Sequence, residues 1–168
     1  MSKLWVVGTA ILVAAMNVPA AEPVDSRSAD FIRESIQGNL FEIKAGELAK
    51  SKGASAGVRN FGAMLAKDHG AASVRSIAAA KSLGVTPPTA PSETQNGLLE
   101  AMGRLEGDKF DEQFIKTMVD DHLRDIARYD THSKHGQDAA AKYAAATLPT
   151  LRDHLKTVQG LQNERATR

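Results

Sequence analysis

Hydrophobic residues recur at intervals of three and four along four long segments, which is the spacing of one face of an α-helix. The pattern predicts long helices over about residues 25–53, 55–84, 108–136 and 138–162. Asp25 or Ser26, then Ser55, Asp108 and Asp138 are suitable N-caps for them. Val, Ile and Thr do not form the alternating runs that would predict strands.

Prolines interrupt the pattern between the second and third long helices. Segment 84–91 contains Pro87, Pro88 and Pro91, which cannot lie inside a regular helix. Residues from Ser92 to about Gly103 favour a short extra helix after this connector. We therefore expect an all-α fold, an antiparallel four-helix bundle with the short helix between helices two and three.

The N-terminus has the features of a secretory signal peptide over residues 1–20. Lys3 supplies the positive end, an apolar stretch follows, and Val18-Pro19-Ala20 presents small residues for cleavage after Ala20. The apolar stretch is short for a membrane span. The sequence therefore predicts a periplasmic or secreted protein in which residues 21–168 form a single helical-bundle domain. Its Pro-rich connector lies near residues 84–92, and no transmembrane segment remains after cleavage.

Composition excludes several classes of function. The formal net charge is only +1, which gives no basic excess for nucleic-acid binding. The chain has no cysteine, so disulfides, thiolate metal sites and cysteine nucleophiles are excluded. No phosphate-binding loop, nucleophile elbow or zinc-protease motif occurs. A hydrolase is therefore the least favoured hypothesis.

Three of the five histidines follow an aspartate, and each of the three belongs to a different predicted long helix. The pairs are Asp68-His69, Asp121-His122 and Asp153-His154. Each histidine lies three or four residues from apolar neighbours, so we expect all three imidazoles to point into the bundle. The aspartates lie about 100° round the helix from their histidines. We expect Asp68, Asp121 and Asp153 to orient another imidazole or to pair with a cation.

The first long helix has no histidine but carries Glu42 on a face with small neighbours. Glu42, His69, His122 and His154 therefore form a candidate set of metal ligands, which suits zinc, iron or copper. Asp125 shares a helix face with His122 and is a further candidate ligand or supporting group. The alternative is that the three histidines are hydrogen-bonded core residues without a metal.

Two other groups favour a structural interpretation. His132 and His135 lie at the end of the third long helix, where cationic side chains are favourable. Met64 and Met118 lie near the histidines, as in some copper sites, but methionines at helical spacing usually fill the core.

Motifs along residues 28–160 resemble the bacterial exported family labelled domain of unknown function 4142. They are Asn39-Leu-Phe-Glu-Ile43, Gly46-Glu-Leu-Ala49, Met64-Leu-Ala-Lys-Asp-His69, Phe110-Asp, Met118-Val-Asp-Asp-His122 and Leu148-Pro-Thr-Leu-Arg-Asp-His154. The resemblance implies a ferritin-like helical bundle and export to the envelope, and it implies no established activity.

Members of the ferritin-like superfamily commonly hold two metal ions through Glu-x-x-His motifs. Here Ala66 and Leu151 occupy the positions where a glutamate would precede His69 and His154. We therefore expect one metal ion at most. The predicted function is an exported helical bundle of unknown activity that binds a single ion. The alternative is a non-catalytic envelope stress or protein-interaction bundle with an unidentified protein partner. Enzymatic activity stays undecided.

Overall fold

A computed structural model describes residues 25–167, and these residues form five helices and no strand. The helices are α1 (Ser26–Lys52), α2 (Ala56–Ser82), α3 (Glu93–Gly103), α4 (Gly107–Ser133) and α5 (Ala139–Ala166). The expected all-α fold is confirmed at this level. The predicted signal peptide, residues 1–20, lies outside the described residues.

The local capping signals position most of the helix ends. Asp25 accepts a hydrogen bond from the first turn of α1, Ser55 caps α2, and Asp138 caps α5. Ser92 and Gln95 form a reciprocal capping box at the start of α3. These four predicted helix starts are confirmed, because a side-chain oxygen satisfies an otherwise free backbone N–H at each of them.

The predicted cap of the third long helix is wrong. Helix α4 begins at Gly107, whose φ of 61° turns the chain into the helix, and the preceding Glu106 makes no capping hydrogen bond through its side chain. Asp108 instead lies in the first turn of α4 and pairs with Arg165. Helix α5 also runs to Ala166, beyond the expected end near Gln162.

The core consists of two hydrophobic clusters. One includes Phe31, Ile36, Tyr129 and Leu148, and the other includes Phe61. Each long helix passes from one cluster to the other, and a buried polar residue lies at the crossing. The crossing residues are Asn39, His69, His122 and His154. The candidate site is therefore a polar layer between two apolar ones.

Helices α1 and α2 approach closely at two glycines. A Cβ atom on Gly46 would lie 2.5 Å from the carbonyl oxygen of Gly62, which is too close for any side chain. This contact brings the first two helices together one to two turns from Glu42 and His69. Among residues 25–167, no helix is long and apolar enough to cross a membrane.

Candidate metal centre

Three imidazoles from three helices meet in the polar layer. One ring nitrogen of each of His69, His122 and His154 lies within 4.8 Å of one ring nitrogen of each of the others. Their side chains are almost fully buried, with exposed fractions of 4%, 1% and 1%. The expectation that these histidines face the bundle interior is confirmed. We call these three residues the histidine triad.

The hydrogen bond of His69 leaves one ring nitrogen directed into the protein without a partner. Its Nδ1 lies 3.0 Å from Oδ1 of Asn39, an amide oxygen that can only accept a hydrogen bond. A neutral imidazole has one proton on its two nitrogens, so Nε2 carries a lone pair. Nε2 is buried and has no hydrogen-bond partner among the described residues. A buried nitrogen with a free lone pair is satisfied by a hydrogen-bond donor or by a cation.

His122 and His154 are held in complementary tautomers. Nδ1 of His122 donates to the backbone carbonyl of Met118 at 3.0 Å, and a carbonyl can only accept. Nε2 of His154 lies 3.1 Å from Oδ2 of Asp68, whose carboxylate accepts. The remaining nitrogens, Nε2 of His122 and Nδ1 of His154, face each other at 3.3 Å. In the neutral state, both of these nitrogens carry lone pairs.

The separation of the two facing nitrogens fits a shared cation. Two imidazole nitrogens bound to a tetrahedral ion at about 2.0–2.1 Å are themselves about 3.3 Å apart. The observed distance between Nε2 of His122 and Nδ1 of His154 is 3.3 Å. One ring nitrogen of His69 lies within 4.8 Å of both, so it would have to move closer by up to about 1.5 Å to add a third nitrogen.

The environment keeps His69 and His122 unprotonated near neutral pH. Burial, followed by the charges of the other two imidazoles, lowers the pKa of His69 well below 6.5. Burial and the neighbouring His154 also lower the pKa of His122, from 6.5 to about 4. Neutral imidazole is the form that binds metal ions.

Glu42 is buried beside the triad, but on the outer side of one imidazole. Its Oε1 lies 3.5 Å from Nδ1 of His122, the nitrogen that faces away from His154. Its Oε2 is buried without a hydrogen-bond partner among residues 25–167. Burial, and after it the carboxyls of Asp121 and Asp125, raise the pKa of Glu42 well above 4.5. The carboxyl therefore lies beside the histidine triad, on the side of His122 that faces away from His154.

The four aspartates singled out in the sequence have different surroundings. Asp68 is half-buried and contacts His154, so it orients an imidazole of another helix. Asp121 and Asp125 pair with Arg124 and Arg128 respectively, both within α4. Burial raises the pKa of Asp125 to about 6, against the lowering effect of Arg128. Asp153 is exposed, about 100° round α5 from the buried His154.

An aromatic side chain covers one side of the triad. The ring of Phe61 lies 6.5 Å from the ring of His122 and 6.1 Å from that of His154, measured between centroids. Phe61 also contacts Phe114 edge-on at 6.1 Å. The apolar contacts exclude water from the histidines, which strengthens any electrostatic interaction there.

Two supporting groups were missed by the sequence analysis. These are Asn39, whose amide holds His69, and the carbonyl oxygen of Met118, which holds His122. The i−4 position of Met118 relative to His122 was a usable signal, since a helical side chain can reach the carbonyl one turn earlier. Asn39 carried no comparable signal, because its partner lies on another helix.

His132 does not behave as an exposed cation at a helix end. It has an exposed fraction of only 6% and stacks on Phe31 with a centroid distance of 4.0 Å. Burial lowers its pKa from 6.5. Its role is therefore structural, as expected, but it comes from packing against the apolar face of α1 and not from a cation at the helix end. His135 is exposed.

Comparisons with known proteins place the chain in a family without assigning an activity. The model of the family described as "Domain of unknown function (DUF4142)" matches residues 13–161, which confirms the resemblance. The fold is similar to a crystal structure of a DUF305 fragment from Deinococcus radiodurans, with a TM-score of 0.74 and 13% sequence identity. That match covers 85% of this chain and 99% of the other. No curated protein matches the chain.

Proposed function

The chain belongs to the DUF4142 family, and we propose that its histidine triad binds a single transition-metal ion. The observation that carries the proposal is the pair of facing nitrogens of His122 and His154, 3.3 Å apart. In the neutral rings both carry lone pairs, because the other nitrogen of each ring faces a fixed acceptor. Two buried lone pairs at this distance repel each other unless a proton or a cation lies between them.

A metal ion suits the site better than a proton at neutral pH. Protonation would place a positive charge in a layer where burial lowers the pKa of His122 to about 4. A proton shared by His122 and His154 would also leave Nε2 of His69 unpaired. One ion would contact all three nitrogens once His69 moves closer, and metal–ligand bonds would offset its desolvation.

The donor set restricts the identity of the ion. Imidazole nitrogens suit zinc, copper and iron, and thiolate is not available in this chain. Three protein ligands leave a position for water or another small ligand. Glu42, proposed from the sequence as a fourth ligand, would reach the ion only after its side chain moves from the Nδ1 side of His122.

The direct test is the metal content of the untagged full chain, expressed in an exporting bacterial host. We expect close to one equivalent of zinc, copper or iron, and a melting temperature that falls when a chelator removes it. Ligand bound at a thousandfold excess over Kd stabilises the folded state by about 4 kcal/mol. His122→Ala should lose the metal. His135→Ala, at an exposed histidine, should retain it.

The competing function is a metal-free interaction bundle with structural histidines. It is favoured by the hydrogen bonds that each imidazole already makes within the protein. Absence of bound metal, together with no change in melting temperature on adding zinc, copper or iron, would reject the metal proposal. The search would then turn to a protein partner.

The proposal also includes the antiparallel topology of the helices and the export of the protein. The short links at residues 53–55 and 134–138 support antiparallel pairing of α1 with α2 and of α4 with α5. We propose a single domain of this kind over residues 21–168, with α3 as the extra helix.

Export is tested by the intact mass of the recovered protein, which should lack residues 1–20. A full-length mass in the cytoplasmic fraction alone would reject it.

A further inference from the structure

We propose that Asn39 is a positioning residue that fixes His69 in the Nδ1–H tautomer. The consequence is that Nε2 of His69 presents its lone pair to His122 and His154. The use of this lone pair for metal binding rests on the proposed function. The tautomer itself is a property of the metal-free protein and can be tested alone.

The amide of Asn39 has only one orientation compatible with its neighbours. The hydroxyl of Ser76 donates to the backbone carbonyl of Ser73 at 2.9 Å, so its single proton is already used. Ser76 can therefore only accept at its contact with Asn39, at 3.2 Å. The atom of Asn39 on that side must be the donor Nδ2, and Oδ1 must face His69.

Tyr143 holds the same amide from a second helix. Nδ2 of Asn39 also lies 2.9 Å from the hydroxyl oxygen of Tyr143 and donates its second proton there. The Tyr143 hydroxyl in turn lies 3.4 Å from that of Tyr129. Both protons of Nδ2 thus have acceptors on different helices. A flipped amide would lose the hydrogen bond to Ser76, because the only Ser76 proton is already donated to Ser73.

The fixed Oδ1 of Asn39 decides the state of His69. It lies 3.0 Å from Nδ1, and a carbonyl-type oxygen demands a proton from the imidazole. Asn39 is 2% exposed and His69 is 4% exposed, so bulk water does not provide a substitute. In the other tautomer, Nδ1 would face Oδ1 with two lone pairs, and Nε2–H would lack an acceptor among the described residues.

The test is the side-chain ¹⁵N spectrum of the histidines in metal-free protein at pH 8. Wild type should show His69 with a protonated Nδ1 and an unprotonated Nε2. Asn39→Leu removes the acceptor and should shift His69 toward the Nε2–H tautomer. Asn39→Asp keeps an oxygen at the same place and should restore the Nδ1–H form. Asn96→Leu, a control in α3 where Asn96 contacts Pro91, should leave the spectrum of His69 unchanged.

A second variant keeps the inference testable if Asn39→Leu does not fold. Ser76→Ala combined with Tyr143→Phe keeps the Asn39 amide but removes both acceptors of Nδ2, so that the amide is free to rotate. The His69 spectrum should then show both tautomers. An Nε2–H tautomer in wild type, or an unchanged spectrum in these variants, would overturn the inference.

Metal titration separates this inference from the proposed function. If wild type binds metal, Asn39→Leu should bind it about 10- to 100-fold more weakly, and Asn39→Asp should recover most of the affinity. Equal affinity in Asn39→Leu would reject the positioning role and leave the metal site standing. If wild type binds no metal, the proposed function fails, and the spectrum still decides the tautomer.

Discussion

Asp68 of α2 accepts a hydrogen bond at 3.1 Å from Nε2 of His154 in α5. A carboxylate behind a ligating imidazole holds its orientation and raises its basicity. We therefore predict that Asp68→Ala lowers metal affinity about 10- to 100-fold. The measurement is competition with a chelator of known affinity. Because Asp68 is half-buried, the variant should remain folded.

Asp153 provides the matched control for this experiment. It precedes His154 as Asp68 precedes His69, but it is exposed. Asp153→Ala should leave metal affinity unchanged within a factor of about two. An equal loss in both variants would indicate a general effect of negative charge and contradict the specific role of Asp68.

The metal-free protein should lose stability as the pH falls below 6.5, the ordinary pKa of histidine. An unfolded chain binds a proton at His122 near pH 6.5, whereas the folded protein does so only near pH 4. The unfolded state binds more protons between these values, so the free energy of unfolding rises with pH across this window. The contribution of His122 to the free energy of unfolding is complete above pH 6.5 and is lost as the pH falls toward 4. The gap corresponds to about 3 kcal/mol for His122 alone.

Comparison with a variant isolates this contribution from carboxyl groups that titrate in the same range. His122→Asn retains a donor near the carbonyl of Met118 but cannot take up a proton. Its free energy of unfolding, measured with urea between pH 4 and 7.5, should change less with pH than that of wild type. The raised pKa values of Glu42 and Asp125 act in both proteins and largely cancel in the difference. Parallel curves would contradict the prediction.

Replacing the carboxyl of Glu42 by an amide should stabilise the metal-free protein above neutral pH. Burial raises the pKa of Glu42 well above 4.5, so the folded state favours the protonated form. The stabilisation that comes from the protonated Glu42 carboxyl is therefore present below pH 4.5, and it is lost as the pH rises toward the pKa of Glu42 in the folded protein. Glu42→Gln never ionises and avoids this loss. Each unit of upward shift corresponds to about 1.4 kcal/mol.

The pH dependence of the stability gained in Glu42→Gln shows whether ionisation of Glu42 is its cause. The advantage of Glu42→Gln in urea unfolding should be small at pH 4 and should grow toward pH 8. Glu47→Gln, on the exposed side of the same helix, should change stability by no more than about 0.5 kcal/mol at either pH. A gain that is independent of pH would mean that ionisation is not responsible.

Local signals explain why the helices and the buried histidines were predictable. Caps such as Ser55 act within one turn, and the spacing of His122 from Met118 reveals the buried face without knowledge of the partner helices. The support of the site depends on contacts between helices. Asn39 reaches His69 across 30 positions of sequence, and periodicity does not encode that distance. The same limit applies to Glu42, whose face was evident but not the side of His122 that it contacts.

Asp111 shows a comparable long-range role in stability. It is fully buried and accepts hydrogen bonds from the backbone N–H groups of Ala54 and Ser55, both at 2.9 Å. Since hydrogen bonds to a charged acceptor are strong, Asp111→Ala should lower the free energy of unfolding by about 3 kcal/mol or more. Asp108→Ala removes an exposed carboxylate from the same helix and should cost no more than about 0.5 kcal/mol. Equal effects in urea unfolding would show that the buried hydrogen bonds contribute little.

Substitution by alanine should destabilise the protein at Gly46 and stabilise it at Gly70, because only Gly46 is closely packed. A Cβ on Gly46 would meet the carbonyl oxygen of Gly62 at 2.5 Å and the backbone nitrogen of Ala66 at 2.9 Å. Both obstacles are backbone atoms, so α1 and α2 would have to separate. Gly46→Ala should therefore destabilise the protein by about 1–3 kcal/mol or more.

Gly70 lies in α2 one residue after His69, and a Cβ there would meet nothing within 4 Å. Gly70→Ala should stabilise the protein by up to about 1 kcal/mol, because alanine loses less backbone entropy in a helix. Thermal melting of both variants decides the matter. Because separation of α1 from α2 would also move Asn39 away from His69, Gly46→Ala should weaken metal binding as well. Retention of full affinity in a destabilised Gly46→Ala protein would show that the polar layer tolerates movement of α1.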